Sequence, residues 1–233
     1  MAPDLRELSP RAKDCLKVIY KLSERGERVT TSQMRDRLAL LEPSGQLSDA
    51  AVTQLFKWLA EQGYVRHVPY HGVKLSEAGR QVALIITRRH RLLELFLEQV
   101  MGYSWDRVDA EAERMEHAIS HEFEERMDAI LGWPTVDPHG DPIPRKSGEI
   151  IAPETQPLLE LAPGSEAVVW RVQDDNAEQL RYLSRLGITP GAAVRVVNRE
   201  PFGGPLRLEV GAPRMEQTVG QELASGILVS TGR

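Results

Sequence analysis

Glu113, Glu116 and His117 fall at positions i, i+3 and i+4 of the stretch DRVDAEAERMEHAISHEFEERM, residues 106–127. On an α-helix those positions share one face, so two carboxylates and an imidazole converge. Hard oxygen donors beside a nitrogen donor make half of a divalent-metal site, which needs further ligands from elsewhere in the chain. A lone ExxEH can equally be the solvated face of an ordinary helix. A second stretch weighs against that alternative: TRRHRLLELFLEQVMG (87–102) puts His90 and Glu94 at i and i+4. Each stretch carries an apolar stripe, so two acidic, histidine-bearing helices can pack on one another.

Composition narrows the setting. A chain of 233 residues is long enough for one large or two to three small domains. No run of about 18 apolar residues is present, so no membrane-spanning segment is expected. The opening MAPDLRELSPRAKD is charged and lacks the apolar core of a secretory signal. A single cysteine, Cys15, excludes an internal disulfide and cysteine-based zinc sites, and its apolar neighbours suit a packing role. A cytoplasmic protein is the expectation. The net charge of −5 is unevenly spread. Residues 1–75 carry a net +3, residues 76–132 a net −5 and the remainder a net −3, which suggests different partners for different parts.

The elements that must position the donors follow in chain order. Ser9-Pro10 opens a first helix, ended at Gly26. Thr30-Thr31 caps a second, SQMRDRLALL, followed by a loop with Pro43 and Gly45. Ser48 or Asp49 caps a third, AAVTQLFKWLAEQ, with Val52, Leu55, Phe56 and Leu59 on its apolar side. After Gly63 the period changes to alternation: YVRHV and VKLS read as two short strands around a turn at PYHG. Three helices and a hairpin in this order predict a winged helix-turn-helix, whose third helix would enter the major groove. Ser48, Asp49, Ala50, Thr53 and Gln54 near its start are the candidates for base or phosphate contact. Lys57, Arg35, Arg37, Arg66 and Lys74 are candidates for the phosphates. The alternative for such a domain is a protein-binding module whose charges only keep it soluble.

Ser76 caps a long helix, Glu77 to Val100, with apolar residues on more than one side, as a dimerisation helix requires. The ExxEH helix is expected from Ser104 to about Leu131. Residues 133–154, with Pro134, Pro138, Pro142 and Pro144, read as a linker or extended arm, and Asp137, His139 and Asp141 within it as a proline-rich turn rather than a metal cluster. Residues 155–233 hold short alternating runs broken by Pro-Gly and Gly-Gly, with one helix, NAEQLRYLSRLG, between the first two; they predict a small antiparallel barrel. The fold class is therefore an α+β multidomain chain. Its expected parts are 1–75 winged helix-turn-helix, 76–132 helical metal-binding and dimerisation domain, 133–154 proline-rich linker and 155–233 barrel.

The motifs RRHRLLE (88–94), EAERMEH (111–117), DPHGDPIP (137–144) and LRYLSRLGITPG (180–191) together carry a likeness. The chain resembles the diphtheria toxin repressor family of metal-dependent transcriptional regulators over its whole length, its manganese-responsive branch most. The resemblance implies an SH3-like C-terminal domain of the kind shared with iron-uptake accessory proteins. It also implies a principal metal site of Asp14, Glu113, Glu116 and His117, with His90 beside it. An ancillary set would be His90, Glu94 and Asp109, with Asn176 and Gln179 from the barrel. Where the iron branch uses Met and Cys this chain has Asp14 and Glu113, and hard oxygens suit manganese(II) first, ferrous iron second. Departures from the pattern are Lys17 where two-ion manganese sites carry a Glu, Asp109 for the usual His, Asn176 for the usual Glu, and a longer loop, LALLEPSGQL, before the third helix.

The implied activity is that of a homodimeric, non-enzymatic repressor of metal-uptake genes that grips double-stranded operator DNA when a metal joins the first helix to the dimerisation helices. Half-sites for such dimers lie about 34–36 Å apart. Two other classes use the same residues differently. A metal-dependent hydrolase would hold an activating ion on these carboxylates. A winged-helix regulator could instead sense a small organic ligand, leaving the acidic helices solvated.

Overall fold

The computed structural model describes residues 8–23, 28–41, 47–68, 71–173 and 176–232. The expected helix end at Gly26, the Pro43 and Gly45 loop and the Pro69-Tyr70 part of the hairpin turn lie outside the described residues. The chain divides into two compact units. One comprises Met1–His90, Glu113–Ile119 and Pro144–Glu149; the other comprises Arg91–Ala112, Ser120–Ile143 and Ile150–Arg233.

In the first unit, helix α1 (Pro10–Ser23) starts at a proline, and the Ser9 hydroxyl accepts the Ala12 N–H at 3.3 Å. Its apolar positions recur at helical spacing and bury Ala12, Cys15, Leu16 and Ile19. Helix α2 (Thr31–Leu41) opens with a reciprocal cap. The Thr30 N–H donates to Gln33 Oε1 at 2.9 Å, and the Gln33 N–H donates to Thr30 Oγ1 at 3.3 Å. Helix α3 (Asp49–Glu61) is capped by Ser48, whose hydroxyl accepts the Ala51 N–H at 3.2 Å, and buries Val52, Phe56 and Leu59. Strands β1 (Val65–Val68) and β2 (Gly72–Leu75) pair antiparallel with Arg66 opposite Lys74, and Val29 bridges to Val73 on the other edge. α1 packs on α2 and β2, and α3 packs on α2 and β1, which is the winged helix-turn-helix read from the sequence.

Helix α4 (Glu77–Gln99) runs from the first unit into the second. The expected continuous ExxEH helix is corrected: there are two helices, α5 (Val108–Met115) and α6 (His121–Ile130), with a turn between them. The physical reason is a new cap, the Ser120 hydroxyl accepting the Phe123 N–H at 3.1 Å, which starts a second helix. Glu116 and His117 therefore sit in the turn after α5, not on its face.

The second unit holds a six-stranded antiparallel sheet in the order β3-β8-β4-β5-β6-β7. Its strands are β3 (Gln156–Pro157), β4 (Glu166–Val172), β5 (Ala193–Arg199), β6 (Leu206–Val210), β7 (Met215–Val219) and β8 (Ile227–Ser230). Alternate residues of these strands, with Leu180 and Leu183 of helix α7 (Ala177–Arg185), form its core, and a short helix α8 (Gln221–Ser225) precedes β8. The proline stretch is also corrected. It is no extended arm: Val136 bridges Pro142, and Asp137, His139, Asp141 and Ile143 are buried, because Asp137 Oδ1 accepts the N–H groups of both His139 and Asp141 and closes the turn on itself. Pro144–Glu149 belongs instead to the first unit. No helix among the described residues is long and apolar enough to cross a membrane.

Candidate metal centre and DNA-facing surface

In the first unit α1 projects Asp14 and, almost one turn on, Lys17. The first-unit part of α4 ends at His90, and α5 and its following turn supply Glu113, Glu116 and His117. These six side chains meet. The His117 Nε2 lies 2.5 Å from Asp14 Oδ1 and 3.6 Å from Glu116 Oε1. The His90 Nδ1 lies 2.7 Å from Glu116 Oε2 and 3.6 Å from Glu113 Oε2. The Lys17 ammonium lies 2.5 Å from Glu113 Oε2 and 2.7 Å from Glu116 Oε1. The structure thus assembles the five donors expected for the principal site and adds one cation, Lys17, that the sequence reading treats only as an obstacle.

Burial sets the electrostatics. Glu116 is fully buried, and desolvation opposes its ionisation, but Lys17 and His90 outweigh that and hold its carboxyl below the ordinary value. Glu113 goes the other way: burial, helped by the neighbouring Glu116, pushes its pKa up despite Lys17. Burial opposes the charge on Lys17 as well, yet the two glutamates raise its pKa. Two overlapping donor groups, Asp14–Glu116–His117 and His90–Glu113–Glu116, each bring one atom per residue within 4.8 Å of the others. Ion–oxygen distances of roughly 2–2.5 Å allow ligand atoms of one ion to stand up to about 4–5 Å apart, so either group fits a hard divalent cation. The buried Nδ1 of His117 makes no hydrogen bond.

A second cluster lies in the other unit, where the sequence favours a proline-rich turn over a metal cluster of Asp137, His139 and Asp141; the structure adds Glu94 to two of those residues. Glu94, Asp137 and His139 are all buried with donor atoms within 4.8 Å. The His139 Nε2 donates to the Trp105 carbonyl at 2.8 Å, so a neutral imidazole here would carry its lone pair on Nδ1. That Nδ1 makes no hydrogen bond and faces Glu94 Oε1 at 3.6 Å. An imidazole anchored through its far N–H to a carbonyl, with its other nitrogen aimed at a carboxylate, is the arrangement metal-ligating histidines adopt. The sequence signal was the Asp-Pro-His-Gly order: the Asp closes the turn that aims the His inward.

Of the ancillary set, His90, Glu94 and Asp109 each bring a donor atom within 4.8 Å of the others. Glu94 follows His90 by one turn of α4, and half-buried Asp109 opens α5. Asn176 is corrected: its side-chain oxygen accepts the Glu178 and Gln179 N–H groups at 2.8 and 3.2 Å, so it caps α7 instead of ligating. Gln179 stands half-buried in the first turn of that helix.

On the DNA-facing side, Ala50, Gln54 and Lys57 are exposed along α3. Ser48 is engaged as the cap, and the Thr53 hydroxyl donates to the Asp49 carbonyl at 2.8 Å. Arg35 pairs with both Asp36 and Asp49 at 2.8 Å, and Arg37 is half-buried. Arg66 and Lys74 oppose each other on the exposed face of the hairpin. Exposed Trp58, beside Lys57, was not singled out from the sequence.

Comparison with known proteins agrees with this geometry. Residues 7–73 match the iron dependent repressor N-terminal DNA binding domain, residues 76–145 the iron dependent repressor metal binding and dimerisation domain, and residues 156–231 the FeoA domain. The iron-dependent repressor IdeR of Mycobacterium leprae (strain TN) is 32% identical over 227 residues, covering 92% of this chain and 94% of that protein. A manganese-dependent transcriptional repressor solved in complex with manganese is 37% identical, covers 94% of this chain and 98% of that one, and superposes with a TM-score of 0.85. The manganese regulator SloR is 30% identical over 96% of this chain and 99% of its own, with a TM-score of 0.73.

Proposed function

This chain belongs to the diphtheria toxin repressor family of metal-dependent, DNA-binding transcriptional repressors, and from that premise we propose that its co-repressor is manganese(II), with ferrous iron second. Asp14, Glu116 and His117 would hold the ion, with Glu113 and His90 beside them; the ion would supply the positive charge that lets these carboxylates stay together out of water. Hard oxygen donors favour manganese over metals later in the series. Glu94, Asp137 and His139 would hold a second ion elsewhere in the chain.

The single observation that carries the reading is the meeting of Asp14 with His117. Asp14 lies on α1 of the DNA-binding domain, and His117 lies in the metal-binding and dimerisation segment. Asp14 and Glu116 converge on the His117 imidazole, and a divalent cation at that point would offset the two carboxylate charges. A complete ligand set would exist only when α1 is held in this position, so metal would shift the population toward one placement of the reading helix. As a homodimer the protein would present two α3 helices to successive major grooves of an operator. Such a repressor works beside the chromosome, in the cytoplasm, and its regulated genes would be those of metal uptake. Membership of a repressor family favours this reading over a metal-dependent hydrolase.

The test is selection from a random-sequence DNA duplex pool with manganese chloride or with chelator. Enrichment of a two-fold symmetric site only with manganese is the expected result. Equal enrichment in chelator, or none in either, would overturn the reading.

A further inference from the structure

The carboxylate cluster of the first unit already contains a cation. Its two donor groups share Glu116, so on donor atoms alone the cluster could hold two ions bridged by that carboxylate. Lys17 changes this. Its ammonium contacts both glutamates of the second group, at 2.5 Å to Glu113 Oε2 and 2.7 Å to Glu116 Oε1, with His90 Nδ1 a further 2.7 Å contact on Glu116 Oε2. We infer that Lys17 stands in for a second metal ion, so that the cluster takes a single divalent cation, at Asp14, Glu116 and His117. This rests on the metal-sensing reading above and deepens it.

Charge balance carries the inference. Asp14, Glu113 and Glu116 supply three negative charges; one divalent ion and one ammonium cancel them. A second divalent ion would leave two uncompensated positive charges around a fully buried carboxylate, in a place where each unit charge at about 4 Å weighs on the order of a thousandfold in affinity at an effective dielectric near 20. The lysine stem holds its charge fixed on α1, so the occupancy of this half of the cluster does not depend on the metal supply. Response to metal is then set by one ion here, without ion–ion cooperativity inside the cluster.

The test compares wild type with Lys17→Glu, Lys17→Gln and Lys17→Arg by equilibrium dialysis against manganese chloride and by electron paramagnetic resonance of the loaded proteins. Lys17→Glu provides a fourth carboxylate, which two divalent ions neutralise. It should bind one more manganese per chain than wild type and show the spin-coupled signal of two ions sharing a carboxylate. Lys17→Gln should gain the same ion at higher manganese concentration, and Lys17→Arg should bind as wild type does. If Lys17→Glu does not fold, the contrast between Gln and Arg decides. Equal stoichiometry in wild type, Glu and Gln variants, or a spin-coupled signal in wild type, would overturn the inference while leaving the metal sensor intact. Wild-type protein that takes up no manganese would overturn both.

Discussion

The Oδ1 of Asp14 and the Nε2 of His117 stand 2.5 Å apart although 103 residues separate them in sequence. The contact links a carboxylate of the DNA-binding helix α1 to an imidazole of the turn after α5. If a metal ion acts through this junction, Asp14→Ala should weaken manganese binding by at least about a hundredfold, since loss of a group that only orients a ligand already costs about 10–100-fold. DNA binding by the variant should then be as weak with manganese as in chelator. Calorimetric titration and gel shift check the two halves. A variant that still needs manganese and still binds DNA as tightly as wild type would sink the bridging role.

On α3 the exposed side chains divide by chemistry. Gln54→Ala should cost about 1–3 kcal/mol on the preferred site and relax preference at one base pair. Lys57→Ala should weaken all sequences alike and reduce the salt slope by about one. Binding measured on matched and scrambled duplexes over a range of salt separates these patterns.

In metal-free protein the Lys17 ammonium is the main compensation for fully buried Glu116. Lys17→Met should therefore destabilise the metal-free chain by about 3–5 kcal/mol in urea unfolding. The sign with pH follows from the two groups. Glu116, held below its ordinary value, contributes stability that is present above the usual carboxyl range and is lost as pH falls through the lowered pKa. Lys17, raised, contributes stability that is present below the usual lysine range and is lost as pH rises through its raised pKa. The penalty of the variant should be full between about pH 5 and pH 9 and shrink on either side.

Glu98 offers the opposite sign. Burial raises its pKa, with His139 opposing, so its contribution to stability is present below the ordinary carboxyl range and is lost as pH rises through the raised value. At neutral pH its charge is a cost. Glu98→Gln should raise the melting temperature at pH 7, and the gain should fade toward about pH 4. A melting temperature unchanged or lowered at pH 7 would show that this carboxylate is paid back by contacts of its charged form.

Gly140 turns the Asp137–Asp141 loop at φ +90°, and a Cβ there would stand 1.9 Å from the Trp170 carbonyl oxygen. Gly140→Ala should destabilise the protein by at least about 2 kcal/mol, since both the backbone angle and the contact with a strand carbonyl must give. Thermal unfolding measures it. The variant should also loosen manganese at Glu94, Asp137 and His139, because the same turn aims the imidazole.

Much of this protein was decided locally and could be read from the chain by itself. Ser48 before an apolar helix, Pro10 at the start of α1, and the switch from helical to alternating period after Gly63 each act within a few residues, so the winged domain and the barrel strands were legible. So were the donor types: Asp14, Glu113, Glu116, His117 and His90 are hard or nitrogen donors wherever they end up. What only the tertiary structure decided depends on groups distant in sequence. Packing puts the Lys17 ammonium between Glu113 and Glu116, 96 and 99 residues away. Ser120 restarts the helix and leaves Glu116 and His117 in a turn, and Asn176 spends its oxygen on a cap. The Trp105 carbonyl accepts the His139 Nε2–H, so the His139 Nδ1 faces Glu94 inside what reads as a proline loop. Charge, tautomer and burial are properties of neighbourhoods, and the neighbourhoods of these residues are built by chain that lies far from them.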